Sequence, residues 1–351
     1  MVEYDLGALF DDLGRKYEHG DGVPQSDAEA AHWYEQAARH GNAHAQHSLG
    51  ILYETGRGVE QSDDNSAQWY RLAAEQGDAR AQWRLASLYK KGKGVAQDAA
   101  EAARLYRLAA DQGLADAQLD LGVLYYQGVG VEKQLAEAAA LFRQAAERRH
   151  TLAEFNLGLC HALGAGVPQS HVAAAHWFRL AAAQGHGPAQ VELGKMYSEG
   201  RGVERSDTEA ARWFRIAADN GFGDAQFNLG FLYATGRGVM RSDVEALRWY
   251  RRAAAQGFAA ARNNLGQWAE EGRAVEQSDA EAVRLYQLAA DAGLASAQCN
   301  LGRMYELGRG VTASVEQAVA WYKRAAKAGH RLAQAALRRL EAADEDDEPA
   351  T

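Results

Sequence analysis

Three histidines cluster near the start of the chain, His40, His44 and His47, with Asp11 and Glu54 as possible oxygen donors. His44 and His47 lie three apart, a spacing that could supply two metal ligands, but a zinc site needs three or four. No third ligand is obvious, so these histidines read as surface or groove residues and no metal is expected. Gly-x-Gly recurs along the chain, as in Gly56-Arg57-Gly58. A phosphate-cradling loop needs a strand before it and usually Lys-Ser/Thr after it. Neither is present, so no nucleotide or other cofactor is expected. Acidic residues are spread along solvated helix faces, and no Ser-His-Asp or paired-carboxylate set stands out. These residues predict no catalytic site, and the search for function turns to the elements that carry them.

Composition narrows the field further. The 351 residues include 36 Gly and only 4 Pro, which suggests helices punctuated by glycine turns. Lys and Arg number 38 against 47 Asp and Glu, a net charge of −9 that argues against nucleic acid. No apolar run approaches the roughly 18 residues of a membrane-spanning helix, so no membrane insertion is expected. The start, Met1-Val2-Glu3-Tyr4-Asp5, is acidic and lacks a basic, then apolar, leader. A cytoplasmic location is therefore expected, or a periplasmic or secreted one if a leader has been removed. Cys160 and Cys299 lie four repeats apart and are expected to stay reduced.

Rows of 36 residues align without a gap. One column reads Leu13, Leu49, Leu85, Leu121, Leu157, Leu193, Leu229, Leu265 and Leu301. The next is Gly in every row except Ala86, and the column three further on is Tyr except at His161 and Ala269. Leu and Tyr four apart share one helix face, and Gly removes the side chain where a neighbour must come close. This helix, A, ends at a glycine such as Gly56, the usual left-handed cap. A second glycine follows two residues later except at Ala274, and then a Val that is expected to plug the core beneath the turn. Capping boxes such as Ser206-Asp207-Thr208-Glu209 open helix B. Its stripe, as in Ala30, Trp33, Tyr34, Ala37 and Ala38, has helical period. Helix B ends at a glycine in every row but one, where Arg149 stands.

A helix pair of this size cannot bury its own face, whereas stacked pairs can. The expected architecture is a single all-α solenoid domain over 1–342, with units 9–44, 45–80, 81–116, 117–152, 153–188, 189–224, 225–260, 261–296 and 297–332. A capping helix follows at 333–342, and 343–351 reads as an acidic disordered tail.

The pattern Leu-Gly-x-x-Tyr-x-x-Gly-x-Gly-Val, then Ala-x-x-Trp-Tyr-x-x-Ala-Ala-x-x-Gly-x-Ala-x-Ala-Gln, resembles the Sel-one-like repeat (SLR), a relative of the tetratricopeptide repeat. Leu49–Val59 and Ala67–Gln82 carry the clearest copy, and the likeness runs from about residue 5 to 334. The resemblance implies a right-handed superhelix of nine helix-turn-helix repeats with helix A lining the concave face. It also implies a scaffold or adaptor that binds another protein or an extended peptide, or alternatively an inhibitor or immunity protein that wraps a secreted toxic effector. It carries over no catalytic residues. Many exported members staple each repeat with a disulfide, which this chain lacks. The chain alone is expected to be monomeric.

By analogy with tetratricopeptide domains, partner contacts fall on helix A positions that vary between rows. Three before the Gly column stand Trp83, Leu119, Phe155 and Phe227, and one after it Val123, Leu159 and Phe231, with Tyr126 one turn along. Exposed together, these would form an apolar patch of the kind that marks interfaces. Two before the Gly column, Asn228, Asn264 and Asn300 offer one amide per repeat, either to hold an extended peptide backbone or to brace the repeat. The junction of rows four and five departs from the pattern at Arg149, His150, Glu154 and His161, through drift, an altered stacking angle or a contact point.

Overall fold

The computed structural model describes residues 5–347, and among them every element is helical. The chain divides into two compact units, one reaching to Gln184 and the other beginning at Gly185. The first holds α1 (Leu6–His19), α2 (Asp27–Arg39), α3 (Ala43–Thr55), α4 (Asp63–Glu75), α5 (Ala79–Lys91), α6 (Ala99–Asp111), α7 (Ala115–Gln127), α8 (Leu135–Glu147), α9 (Thr151–Leu163) and α10 (His171–Ala183). The second holds α11 (Gly187–Glu199), α12 (Asp207–Asp219), α13 (Gly223–Thr235), α14 (Asp243–Ala255), α15 (Ala259–Glu271), α16 (Asp279–Asp291), α17 (Ala295–Leu307), α18 (Val315–Lys327) and α19 (Arg331–Asp347). Odd-numbered helices are the A helices and even-numbered ones the B helices, so each unit is a helical solenoid.

Why the pairs close so tightly is visible at the Gly column. A Cβ built on Gly50 would lie 2.5 Å from the Tyr70 ring, and one on Gly194 would lie 2.6 Å from the Phe214 ring. The ring of helix B therefore rests directly on the backbone of its own helix A. These rings are wholly buried, and the Ala pair one turn later lets the following A helix approach. The capping signals behave as the sequence predicts. Ser206, Ser242 and Ser278 accept the backbone N–H of Glu209, Glu245 and Glu281 at 3.2 to 3.3 Å. Gly56 caps α3 in the left-handed region at φ 71°. The Val expected to plug the turn is only half-buried, at the rim of the core.

Further contacts link neighbouring repeats within each unit. The second turn glycine packs on the first turn of the preceding B helix, and a Cβ on Gly58 would collide with the carbonyl oxygen of Asp27. In the rows of Arg57, Arg237 and Arg309 the Arg between the two glycines forms a two-pronged pair with the corresponding Asp, as in Arg309 to Asp279 at 3.0 and 2.7 Å. Gln82 donates to the Ala74 carbonyl at 3.2 Å and accepts from Gln112 at 2.9 Å, tying the frayed end of one B helix to the next. The last helix runs to Asp347, beyond the cap at 333–342, because no glycine or proline interrupts it there. Residues 348–351 of the expected tail lie outside the described residues.

At the row four–five junction the turn itself keeps its form. Arg149 sits at φ 62° and its N–H reaches Ala146 at 2.8 Å, as Gly113 reaches Ala110 at 2.8 Å. A side chain in this region is strained by roughly 1 kcal/mol. Arg149→Gly is therefore expected to stabilise the chain by about that amount, read from denaturant unfolding. Gly58→Ala should lower the melting temperature clearly, since the Cβ meets backbone that cannot swing away.

Candidate functional site

The helix A face was the expected partner surface, and its columns behave differently. Residues three apart share a helix face. The position three before the Gly column must therefore lie over the same B ring that covers the Gly. The rings of Phe155 and Phe178 are 5.6 Å apart, those of Phe227 and Tyr250 5.7 Å, and those of His47 and Tyr70 5.8 Å. Trp83 is half-buried against the core and donates its indole N–H to Asp120 on α7 at 2.7 Å. Leu119 is half-buried against the Ala138–Phe142 core. In this column side chains hold the repeats together, and Val191 and Cys299 are buried there.

The column one after the Gly lies beside it on the helix; it is exposed at Phe231 and Gln267 and half-buried at Val123 and Leu159. In the first unit Val123, Tyr126 and Leu159 line one cleft of about 240 Å³ between α7 and α9, with Phe142 as its floor and Asn156 and Leu163 at its edge. Tyr126 is 36% exposed and Leu163 67%. In the second unit Phe231 is 40% exposed, with the Arg237 guanidinium 5.9 Å from its ring. The asparagines are engaged within the chain. Asn228 donates to the Asp224 carbonyl of its own helix at 2.8 Å, Asn300 donates to Asn263 at 3.0 Å, and Asn264 lies at the Tyr250 hydroxyl.

Sequence reasoning missed an ionic counterpart in the second unit. The cleft in matching register between α17 and α19, about 460 Å³, sets Arg303, Glu306 and Arg339 among apolar walls from Leu307, Leu332 and Ala336. Arg303 grips Glu270 at 2.8 and 2.6 Å, Arg309 reaches the same carboxylate at 2.8 Å, and Arg339 pairs with Glu306. Arg303 and Arg309 hold the Glu270 carboxyl below its ordinary range, mainly through the Arg303 hydrogen bond. The signal was present in the rows as Arg and Glu where the first unit has Val and Tyr.

The residues weighed for metal or catalysis are placed otherwise. His44 pairs with Asp11 at 2.7 Å, while His47 turns inward and His40 lies against Phe10. Among the described residues no three His, Cys, Asp or Glu side chains converge as metal ligands. Cys160 and Cys299 are free and buried, and burial pushes the Cys160 thiol up to about 11, away from the reactive thiolate. No helix among the described residues is long and apolar enough to cross a membrane.

A family model described as Sel1 repeat matches residues 4–42, 43–78, 79–114, 115–150, 151–186, 187–222, 223–258, 259–294 and 295–330. Among solved structures, a protective antigen of uropathogenic Escherichia coli displaying an SLR fold is 31% identical. The match covers 98% of this chain and 81% of that one, with a TM-score of 0.70. A Sel1 repeat protein from Oxalobacter formigenes is 33% identical over 88% of this chain and 89% of that one, with a TM-score of 0.69. No curated protein matches the chain.

Glu154 replaces the buried Gln of most other rows, and its carboxylate accepts from Gln184 at 2.7 Å. Burial pushes this carboxyl above the ordinary glutamate range, outweighing the Gln184 amide that lowers it. A carboxyl raised in the fold contributes stability below its unfolded pKa and loses it as pH rises through the folded value. Glu154→Gln is therefore expected to melt higher than the parent at neutral pH, with the gap closing below the glutamate range. Melting curves at acidic and neutral pH check this.

Proposed function

Because the chain belongs to the Sel1 repeat family, whose repeats generally mediate protein–protein interaction, we propose that it is a scaffold or adaptor that seats a partner protein on its helix A faces. One observation carries this reading: the apolar cleft of Val123, Tyr126 and Leu159 stands open beside an exposed Leu163. Apolar side chains left at the surface, around a pocket deep enough for one inserted side chain, are the usual anchor of a protein interface. The occupant is an apolar residue of an extended partner segment. Phe231 offers a second, separate contact in the other unit.

Sel1-repeat scaffolds are typically non-enzymatic, and binding without catalysis is part of this reading. So is a cytoplasmic location, which the two buried free thiols support.

Affinity capture from the native lysate tests the proposal, with wild type beside Tyr126→Asp and Phe231→Asp. These two side chains are exposed enough to change without unfolding the repeat, and matching helical circular dichroism verifies it. A partner held by wild type and lost by at least tenfold from Tyr126→Asp is the expected result. Identical capture by wild type and both variants would remove the helix A faces from consideration. A single partner of nanomolar affinity, about −12 kcal/mol, would turn the reading from adaptor to inhibitor.

A further inference from the structure

The most irregular repeat lies in the second unit, around α15. Seven rows carry Tyr three after the Gly column, but this row has Ala269. Six rows carry Trp in helix B just before the ring, but the B helix that follows has Leu285. The column that holds Gln in most other rows has Arg262, whose Nε donates to the Ala254 carbonyl at 3.2 Å in place of the amide. These changes meet at one place on the B side of the unit. A cleft of about 420 Å³ opens between α14, α15 and α16, its apolar wall built from Leu247, Leu265, Leu285, Leu288 and Ala269.

Other rows show what normally stands there. Arg71 donates to the Tyr89 hydroxyl at 3.2 Å and Arg107 to the Tyr125 hydroxyl at 2.5 Å, with Arg215 on Tyr233 likewise. The matching cleft at Tyr89, where Leu105 replaces Trp but the Tyr remains, is smaller at about 370 Å³. Arg251 occupies the position of Arg71, and Ala269 gives it no hydroxyl to meet. Among the described residues Arg251 makes no ion pair or hydrogen bond. Of the other charges on the cleft, Arg284 is held by Glu281 at 2.7 and 2.6 Å. That leaves Arg251 and Arg262 against Glu276, a net positive rim over an apolar floor.

We propose that this cleft is a binding site for a small aryl carboxylate. The ring takes the volume left by the missing Tyr and Trp side chains, and the carboxylate meets Arg251 and the free guanidinium nitrogens of Arg262. The leucine wall offers a ring apolar surface to cover. A guanidinium matches a carboxylate with two parallel hydrogen bonds. The site shares no residue with the cleft of Val123, Tyr126 and Leu159 or with Phe231, so its occupancy and partner capture are tested separately.

Titration of the full chain with 4-methylbenzoate, p-cresol and acetate, read on leucine methyl resonances, tests it. 4-Methylbenzoate is expected to shift the methyls of Leu247, Leu265, Leu285 and Leu288. p-Cresol should do so at roughly tenfold weaker affinity, about 1.4 kcal/mol, and acetate not at all. Ala269→Tyr restores the residue of seven rows, offers Arg251 the hydroxyl that Tyr89 offers Arg71, and should weaken 4-methylbenzoate at least tenfold and raise the melting temperature. Leu285→Trp, which refills the other half of the void, is the second filling variant should the first fold poorly. Arg251→Gln should bring 4-methylbenzoate down toward p-cresol. Three results would overturn the proposal: no leucine shift with 4-methylbenzoate, equal affinity for p-cresol in wild type, or undiminished binding once either ring is restored.

Discussion

In eight of the nine rows the repeat turns on one contact, an aromatic ring of helix B packed against a glycine of helix A. At Gly50 and Tyr70, or Gly194 and Phe214, no Cβ fits between backbone and ring. The contact brings the two helices closer than side chains on both would allow, and the ring is wholly shielded from water. Once the ring is seated, other features follow from it. The residue one turn before the glycine must pack on the same ring, and several buried tyrosines send their hydroxyl to a helix A glutamate, as Tyr70 does to Glu54 at 2.7 Å.

The same economy of backbone governs stacking. The second turn glycine rests on the carbonyl of the preceding B helix, and the arginine beside it pairs with the aspartate that opens that helix. Nearest-neighbour contacts of this kind make the stability of a repeat array close to a sum over interfaces. They also mean that a departure in one row stays local. Ala274, at φ 56° where other rows have glycine, belongs to the same row as Ala269 and Arg262, so the irregularities of that row are concentrated around a single helix.

Function in such an array lies in what the packing leaves over. In the first unit that remainder is apolar, a cleft between successive A helices. The cleft of matching register in the second unit is larger and carries arginine and glutamate where the first has Val123, Tyr126 and Leu159. Two clefts of matching register thus differ in size and chemistry, because the scaffold columns are held constant while the columns between them vary.

Much of this was legible in the residues themselves. The 36-residue period, the glycine caps, the Ser-x-x-Glu helix starts and the alternation of A and B helices rest on local rules of backbone and periodicity, which act within a few residues. The family likeness followed from the same columns. What the tertiary structure decided was direction and assembly. Trp83, Leu119, Phe155 and Phe227 read as candidates for a binding face, yet they share a helix face with the glycine and so belong largely to the ring contact. The arginine–aspartate pairs join residues 30 apart, and the cleft at α15 requires truncations on two helices to converge. No periodic pattern reports such meetings, because they depend on where a neighbouring repeat is placed in space, and that placement is a property of the packed array.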